Sequence, residues 1–187
     1  MAETAAAYLD IYFAAYSSEE FIYDHTQPAW DEFNRLSRLL GWDNNLKNEK
    51  RQLFKEALVR AFNRRFGMDE YDLTSWQYLY RVLKKPIPGD ITTCHEAIQG
   101  IYVNLVDLVD LPDSEDAITL FNTERDLSKY TKRTKKFFPL NSSRAGGLLS
   151  HLLRKILNPP TPEGEEPEGT QPAAAGRRRR RRRKKKQ

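Results

Sequence analysis

The chain has 187 residues, 39% of them hydrophobic and 11% aromatic, enough to fill one core and carry a tail. No run reaches eighteen consecutive apolar residues, which argues against a membrane-spanning helix. The start MAETAAAYLDIYFAAY carries acids and no base, the wrong pattern for a secretory signal or mitochondrial presequence. Ten of the 31 basic residues form one run, Arg177 to Lys186, and four of the 26 acids lie in residues 161–176. Residues 1–160 are left with 21 basic and 22 acidic groups, so the net charge of +5 belongs to the tail rather than the body. The single cysteine, Cys94, cannot form an internal disulfide and favours an intracellular setting.

Residues 4–16 hold Tyr8, Leu9, Tyr12, Phe13 and Tyr16 at helical spacing and predict a short first helix. Phe21, Ile22 and Tyr23 follow as an extended apolar link. Thr26 and Pro28 announce a second helix, since threonine caps and proline suits a first turn. Its face is Trp30, Phe33, Leu36 and Leu40, and Gly41 ends it. Asn44 or Asn45 is expected to cap a long third helix from Leu46 to Phe66, with Leu53, Ala57, Leu58, Ala61, Phe62 and Phe66 inside and Gly67 as its stop. Asp72 starts a fourth, with Leu73, Trp76, Tyr80 and Leu83 inside, before Pro86 and Pro88 break the chain.

Ile91 to Leu111, ITTCHEAIQGIYVNLVDLVDL, is the most apolar stretch. Its β-branched content makes a buried strand a fair rival, but polar spacing favours a helix. At 100° per residue Glu96, Gln99, Asp107 and Asp110 fall on one stripe, with Gly100 inside it and Asn104 at its edge. A helix with so narrow a polar face must be wrapped by others, so this segment predicts the central buried helix of the domain. Thr93 and Glu96 form a capping box at its start and Pro112 stops it. Asp113 to Asp116 make a polar turn, and Ala117 to Phe121 is an apolar run of undecided type. Thr123 and Asp126 form a second capping box over a helix containing Leu127 and Tyr130. Phe137, Phe138 and Pro139 form an anchored turn. Ser142 or Ser143 opens a last helix through Leu157, and Pro159 and Pro160 stop it.

The expected architecture is all-α: one multi-helix domain over residues 1–157, wrapped around a central buried helix. Residues 158–176 follow as a linker rich in Pro, Glu and Gly, with no large apolar residue to offset its ordering entropy, and are expected to be disordered. Residues 177–187 are a polybasic tail.

The words YDHTQPAWDEFNRLSRLLGW, LTSWQYL, CHEAIQGIYVNLVDLVD and LSKYTKRTKKFFP, in this order, resemble a family of small fungal proteins of unknown function. The resemblance covers most of residues 10–157, implies an all-helical single domain and brings no catalytic residues.

Candidate chemistry is sparse. Asn104, Asp107 and Asp110, three apart on a helix, offer oxygen ligands for magnesium or calcium and hence a metal-dependent enzyme. The plainer reading is the solvated stripe that amphipathicity requires anyway. Cys94 and His95 are neighbours that point about 100° apart, so they cannot form a nucleophile–base pair. Cys94 lies on the apolar side, and His25, His95 and His151 show no zinc-ligand spacing. No catalytic glycine motif or phosphate loop occurs, and the Gly146–Gly147 pair suggests a close helix approach. Trp30, Trp42 and Trp76 are expected in the core.

Lys129, Lys132, Arg133, Lys135 and Lys136 cluster around hydroxyls and are candidate phosphate contacts, against the plainer reading of a solvated helix end. Arg177, Arg178, Arg179, Arg180, Arg181, Arg182, Arg183, Lys184, Lys185 and Lys186 repel one another and must be exposed; such runs bind import receptors or nucleic acid. Alternatively the run is a low-complexity extension without a role.

These features together favour a nuclear, non-enzymatic protein-interaction module without cofactor or membrane contact. Its body engages an unknown protein partner, and its tail serves import and non-specific polyanion affinity. The rivals are an RNA- or DNA-binding protein using Lys129–Lys136 with the tail, and a metal-dependent enzyme using Asn104, Asp107 and Asp110.

Overall fold

The computed structural model describes residues 6–110, 118–139, 146–154 and 156–157. These residues form α1 (Ala6–Ala14), α2 (Ala29–Leu39), α3 (Asn44–Phe66), α4 (Leu73–Val82), α5 (Ile91–Ile98), β1 (Tyr102–Val103), α6 (Leu105–Asp110), β2 (Leu120–Phe121), α7 (Glu124–Thr134) and α8 (Gly147–Leu152). The chain is thus all-α, with one antiparallel two-stranded ribbon pairing Tyr102 with Phe121 and Val103 with Leu120. The expected linker 158–176, tail 177–187, Pro112 stop, Asp113–Asp116 turn and Ser142 or Ser143 helix start lie outside the described residues.

The helix at the centre is α3, not the 91–111 segment. It is the longest, and α1, α4, α6 and α8 all pack on it. Asp43, rather than Asn44 or Asn45, caps it, its carboxylate accepting from Leu46 N–H at 2.8 Å. Gly67 ends it at φ +89°, where an added Cβ would collide with Ser75 Oγ. Its inner face is Phe54, Ala57, Leu58, Ala61, Phe62 and Phe66, whereas Leu53 is 47% exposed. Phe54 stacks on Phe33 of α2 at 5.0 Å and meets Tyr12 and Phe13 of α1, so the N-terminal half of the domain is closed by an aromatic cluster.

The predicted helix over Ile91 to Leu111 is two helices with a strand between them. Asp90, not the Thr93–Glu96 box, starts α5, accepting from Thr93 N–H at 2.9 Å and Thr93 Oγ1 at 2.7 Å. The exit tightens into three-residue turns at Gln99, Gly100 and Ile101. Ile101, Tyr102 and Val103 then run extended, as β-branched and aromatic residues beside a glycine readily do, and find a ladder partner in Leu120–Phe121. Asn104 restarts the helix, its Oδ1 accepting from Val106 N–H at 3.0 Å and Asp107 N–H at 3.3 Å.

Several other local signals hold, though Leu40, expected on the inner face of α2, is exposed. Asp72 caps α4 and Thr123 caps α7 in a reciprocal box with Asp126. Gly41, at φ +60°, closes α2 with Trp42 N–H bonded to Ser37 O. The predicted Thr26 cap of α2 is absent, since Thr26 instead bonds Asp24 and the side-chain cap at Pro28 is missing. The final helix is short, with Gly146 as its N-cap residue. Gly146 and Gly147 press on the α3–α4 connection, where an added Cβ would meet Met68 Cα at 2.7 Å and Glu70 Cβ at 2.9 Å. Among the described residues no helix is long and apolar enough to cross a membrane.

Candidate functional site

Because the 91–111 helix is broken, Asn104, Asp107 and Asp110 do not form one solvated stripe. Asn104 is buried and spends all its polar atoms on the fold: Oδ1 caps α6, and Nδ2 donates to Thr131 Oγ1 at 3.0 Å and Lys136 O at 3.1 Å. Asp107 is ion-paired with Lys136 at 2.6 Å, both side chains largely covered. Burial works against the Lys136 ammonium, but the hydrogen bond and charge of Asp107 outweigh it and leave its pKa raised. Asp110 turns to the start of α2, where Ala29 and Trp30 N–H groups face its carboxylate; Oδ2 is buried without a hydrogen-bond partner. Burial pushes its pKa up to about 7. The three side chains thus face three different structural surroundings.

Of the basic cluster, Lys129, Lys132, Arg133 and Lys135 are exposed, while Lys136 is turned inward to Asp107. Helical spacing explains the split: Leu127, Ser128 and Thr131 form the buried face of α7, and Lys129, Lys132 and Arg133 the outer one. Arg133 lies over the Tyr130 ring at 5.7 Å, and Lys132 Nζ donates to Leu157 O at 3.1 Å. Arg154 does not extend this face. Its guanidinium is drawn inward, donating to His151 O at 2.6 Å and Ile98 O at 2.8 Å.

On the inner side of α7 a groove of about 270 Å³ opens between that helix, the 136–139 turn and the residues after α8. Val103, Leu105, Leu127, Leu152 and Leu153 make its floor and Phe137, Phe138 and Pro139 one wall. Its charged lining is Lys55, Lys136 and Arg154; no carboxylate lines it among the described residues. Leu127 and the Phe137–Pro139 turn were legible in the sequence as apolar features, but only the fold sets three cations around them.

A second constellation escapes sequence spacing entirely. His95 on α5 and His151 on α8 stack at 4.2 Å and 22°, over Glu70 in the α3–α4 connection. His151 Nε2 lies 2.8 Å from Glu70 Oε2, and His95 Nε2 lies 3.1 Å from Glu70 O. Trp76 closes the cluster edge-on to both rings at 5.2 and 5.4 Å, its indole N–H donating to the same Glu70 O at 2.8 Å. The three residues are separated by 25 and 56 positions, too far for a spacing motif. The glycine pair was its one visible trace.

The remaining candidates are structural. Cys94 is buried, burial raises its thiol pKa, and its carbonyl accepts from Tyr80 Oη at 2.8 Å. Trp30 and Trp76 are core residues and Trp42 packs against the core. The polybasic tail Arg177–Lys186 lies outside the described residues. Compared with protein-family models, curated proteins and solved structures, the chain matches none of them.

Proposed function

We propose that the chain is a non-enzymatic helical interaction module, carried into the nucleus by its polybasic tail, whose body binds an acidic and apolar segment of a partner protein in the groove beside α7. Lys55 carries this reading. Its side chain is half-buried at the groove, and burial first, then the nearby charge of Arg51, lowers its pKa. It has no hydrogen-bond or ion-pair partner among the described residues. A desolvated cation without a partner is costly until an anion reaches it. A peptide pairing a carboxylate with aliphatic or aromatic side chains supplies both the anion and the surface for the floor. With no carboxylate in its lining among the described residues, the groove repels basic segments, the chain's own tail included.

Displayed random peptides selected on the full chain, with free peptide 172–187 as competitor to remove tail binders, should converge on acidic–apolar sequences. Lys55→Glu should weaken the selected peptides at least about tenfold, the effect of removing one charge-assisted hydrogen bond. Selection of basic peptides, or equal binding to Lys55→Glu, would refute the groove reading. For the tail, residues 172–187 fused to a neutral reporter should concentrate it in the nucleus.

The exposed row Lys129, Lys132, Arg133 and Lys135 favours a second reading, nucleic-acid binding by α7 and the tail together. Alanine at all four should reduce the slope of log affinity against log salt by about 0.9 for each phosphate that is no longer neutralised. An unchanged slope assigns polyanion binding to the tail alone.

A further inference from the structure

We propose that Glu70, His95 and His151 form a site for a divalent transition metal, with zinc as the ion it fits best. The three ligating atoms already lie within 4.8 Å of one another. Two imidazole nitrogens and one carboxylate are the donor set that zinc accepts with bonds of about 2.0–2.2 Å. Magnesium and calcium call instead for six or more oxygens, which this cluster does not offer.

Several features bring these ligands together. Each comes from a different element, and α8 can approach the α3–α4 connection only because residues 146 and 147 are glycines. His151 Nε2 and Glu70 Oε2 are hydrogen-bonded at 2.8 Å, so the two candidate donors already face each other. Tetrahedral donors sit roughly 3.3–3.5 Å apart at such bond lengths, so this pair must open by roughly half an ångström and the third ligand close in by up to about 1.5 Å. Parallel rings cannot both aim a lone pair at one ion, and His95 therefore has to turn about its Cβ–Cγ bond and release Glu70 O. That carbonyl is not orphaned, because the Trp76 indole still donates to it at 2.8 Å. The same indole fixes the Glu70 backbone, the supporting role that residues behind metal ligands commonly fill. Side chains 20% exposed at His151 and 34% at Glu70 leave the fourth position open to water.

The test uses the full chain without an added histidine tag, stripped with a chelator and titrated with zinc sulfate by calorimetry while the three histidine ring signals are followed by NMR. The expected result is one zinc per chain, with two ring signals moving in step and the His25 signal still. His95→Gln, His151→Gln and Glu70→Gln should each lower zinc affinity by more than the roughly 10–100-fold typical of residues that only orient a ligand. His25→Gln should leave it unchanged. Absence of one-to-one uptake overturns the proposal, as does uptake that survives His95→Gln and His151→Gln together, or magnesium binding as tight as zinc. Should a variant fail to fold, the ring signals of the parent chain decide the matter.

Discussion

Replacing Asp110 by asparagine should make the domain more stable at alkaline pH. The Asp110 carboxyl is closed off from solvent at Oδ2, faced by Asp107 and only partly compensated by Lys136 and the Ala29 and Trp30 N–H groups; burial is the main reason its pKa rises to about 7. A folded-state pKa above the unfolded value means the native chain holds this proton where the unfolded chain has lost it. Below about pH 4 both states are protonated and the group contributes nothing. As pH rises from there through 7, the native state alone retains the proton, and stability falls by up to about 4 kcal/mol before levelling off. Asparagine keeps the shape and one acceptor for the α2 N–H groups but has no charge to bury. Urea unfolding of both proteins from pH 4.5 to 8 should give a falling stability for the parent and a flatter profile for Asp110→Asn. The gap should be only about 1 kcal/mol near pH 4.5 and widen to about 2–4 kcal/mol in favour of the variant at pH 8. Glu32, Asp24, Asp72 and Asp90 do not confuse this window. Side-chain hydrogen bonds, chiefly to Arg35, Thr26 and Ser75, lead the lowering of the first three, and the Thr93 backbone N–H leads for Asp90. The stability they add is present above the ordinary carboxyl range and is lost only as pH falls through and below it. Parallel profiles, or a variant less stable at pH 8, would show that Asp110 is ionised in the fold and caps α2 as an anion.

Two neighbours on α3 should behave oppositely: Phe54→Ala should cost about 3–5 kcal/mol, whereas Leu53→Ala should stay within about 0.5 kcal/mol. Comparable losses in urea midpoints would place α3 in the wrong rotation. Asn104→Ala should cost about 2–3 kcal/mol, because it removes the α6 cap and strands Thr131 and Lys136 O. A loss below about 0.5 kcal/mol would return Asn104 to a solvated surface.

Local sequence chemistry determined a good deal of this molecule. The glycines after α2 and α3, the Asp72 cap, the Thr123–Asp126 box and the apolar faces of α4 and α7 each act within a few residues. Their partners are neighbours in sequence, within one or two helical turns. That is why the all-α class and most helix positions were legible. Composition likewise separated the neutral body from the basic run at Arg177 to Lys186.

Tertiary structure decided what periodicity could not. Ile91 to Leu111 is apolar enough for either a buried helix or a buried strand, and 3.6-residue spacing cannot detect a break that depends on a distant ladder partner. Only the pairing of Tyr102–Val103 with Leu120–Phe121 makes the extended backbone at that break satisfied, and so divides the helix. The same division turns Asn104, Asp107 and Asp110 away from a common stripe and gives each its own partner. His95 and His151 meet over Glu70 for a similar reason. Their meeting depends on how closely α8 can approach the α3–α4 connection, a distance set by the missing side chains at Gly146 and Gly147, which only the packing of the whole domain brings into play.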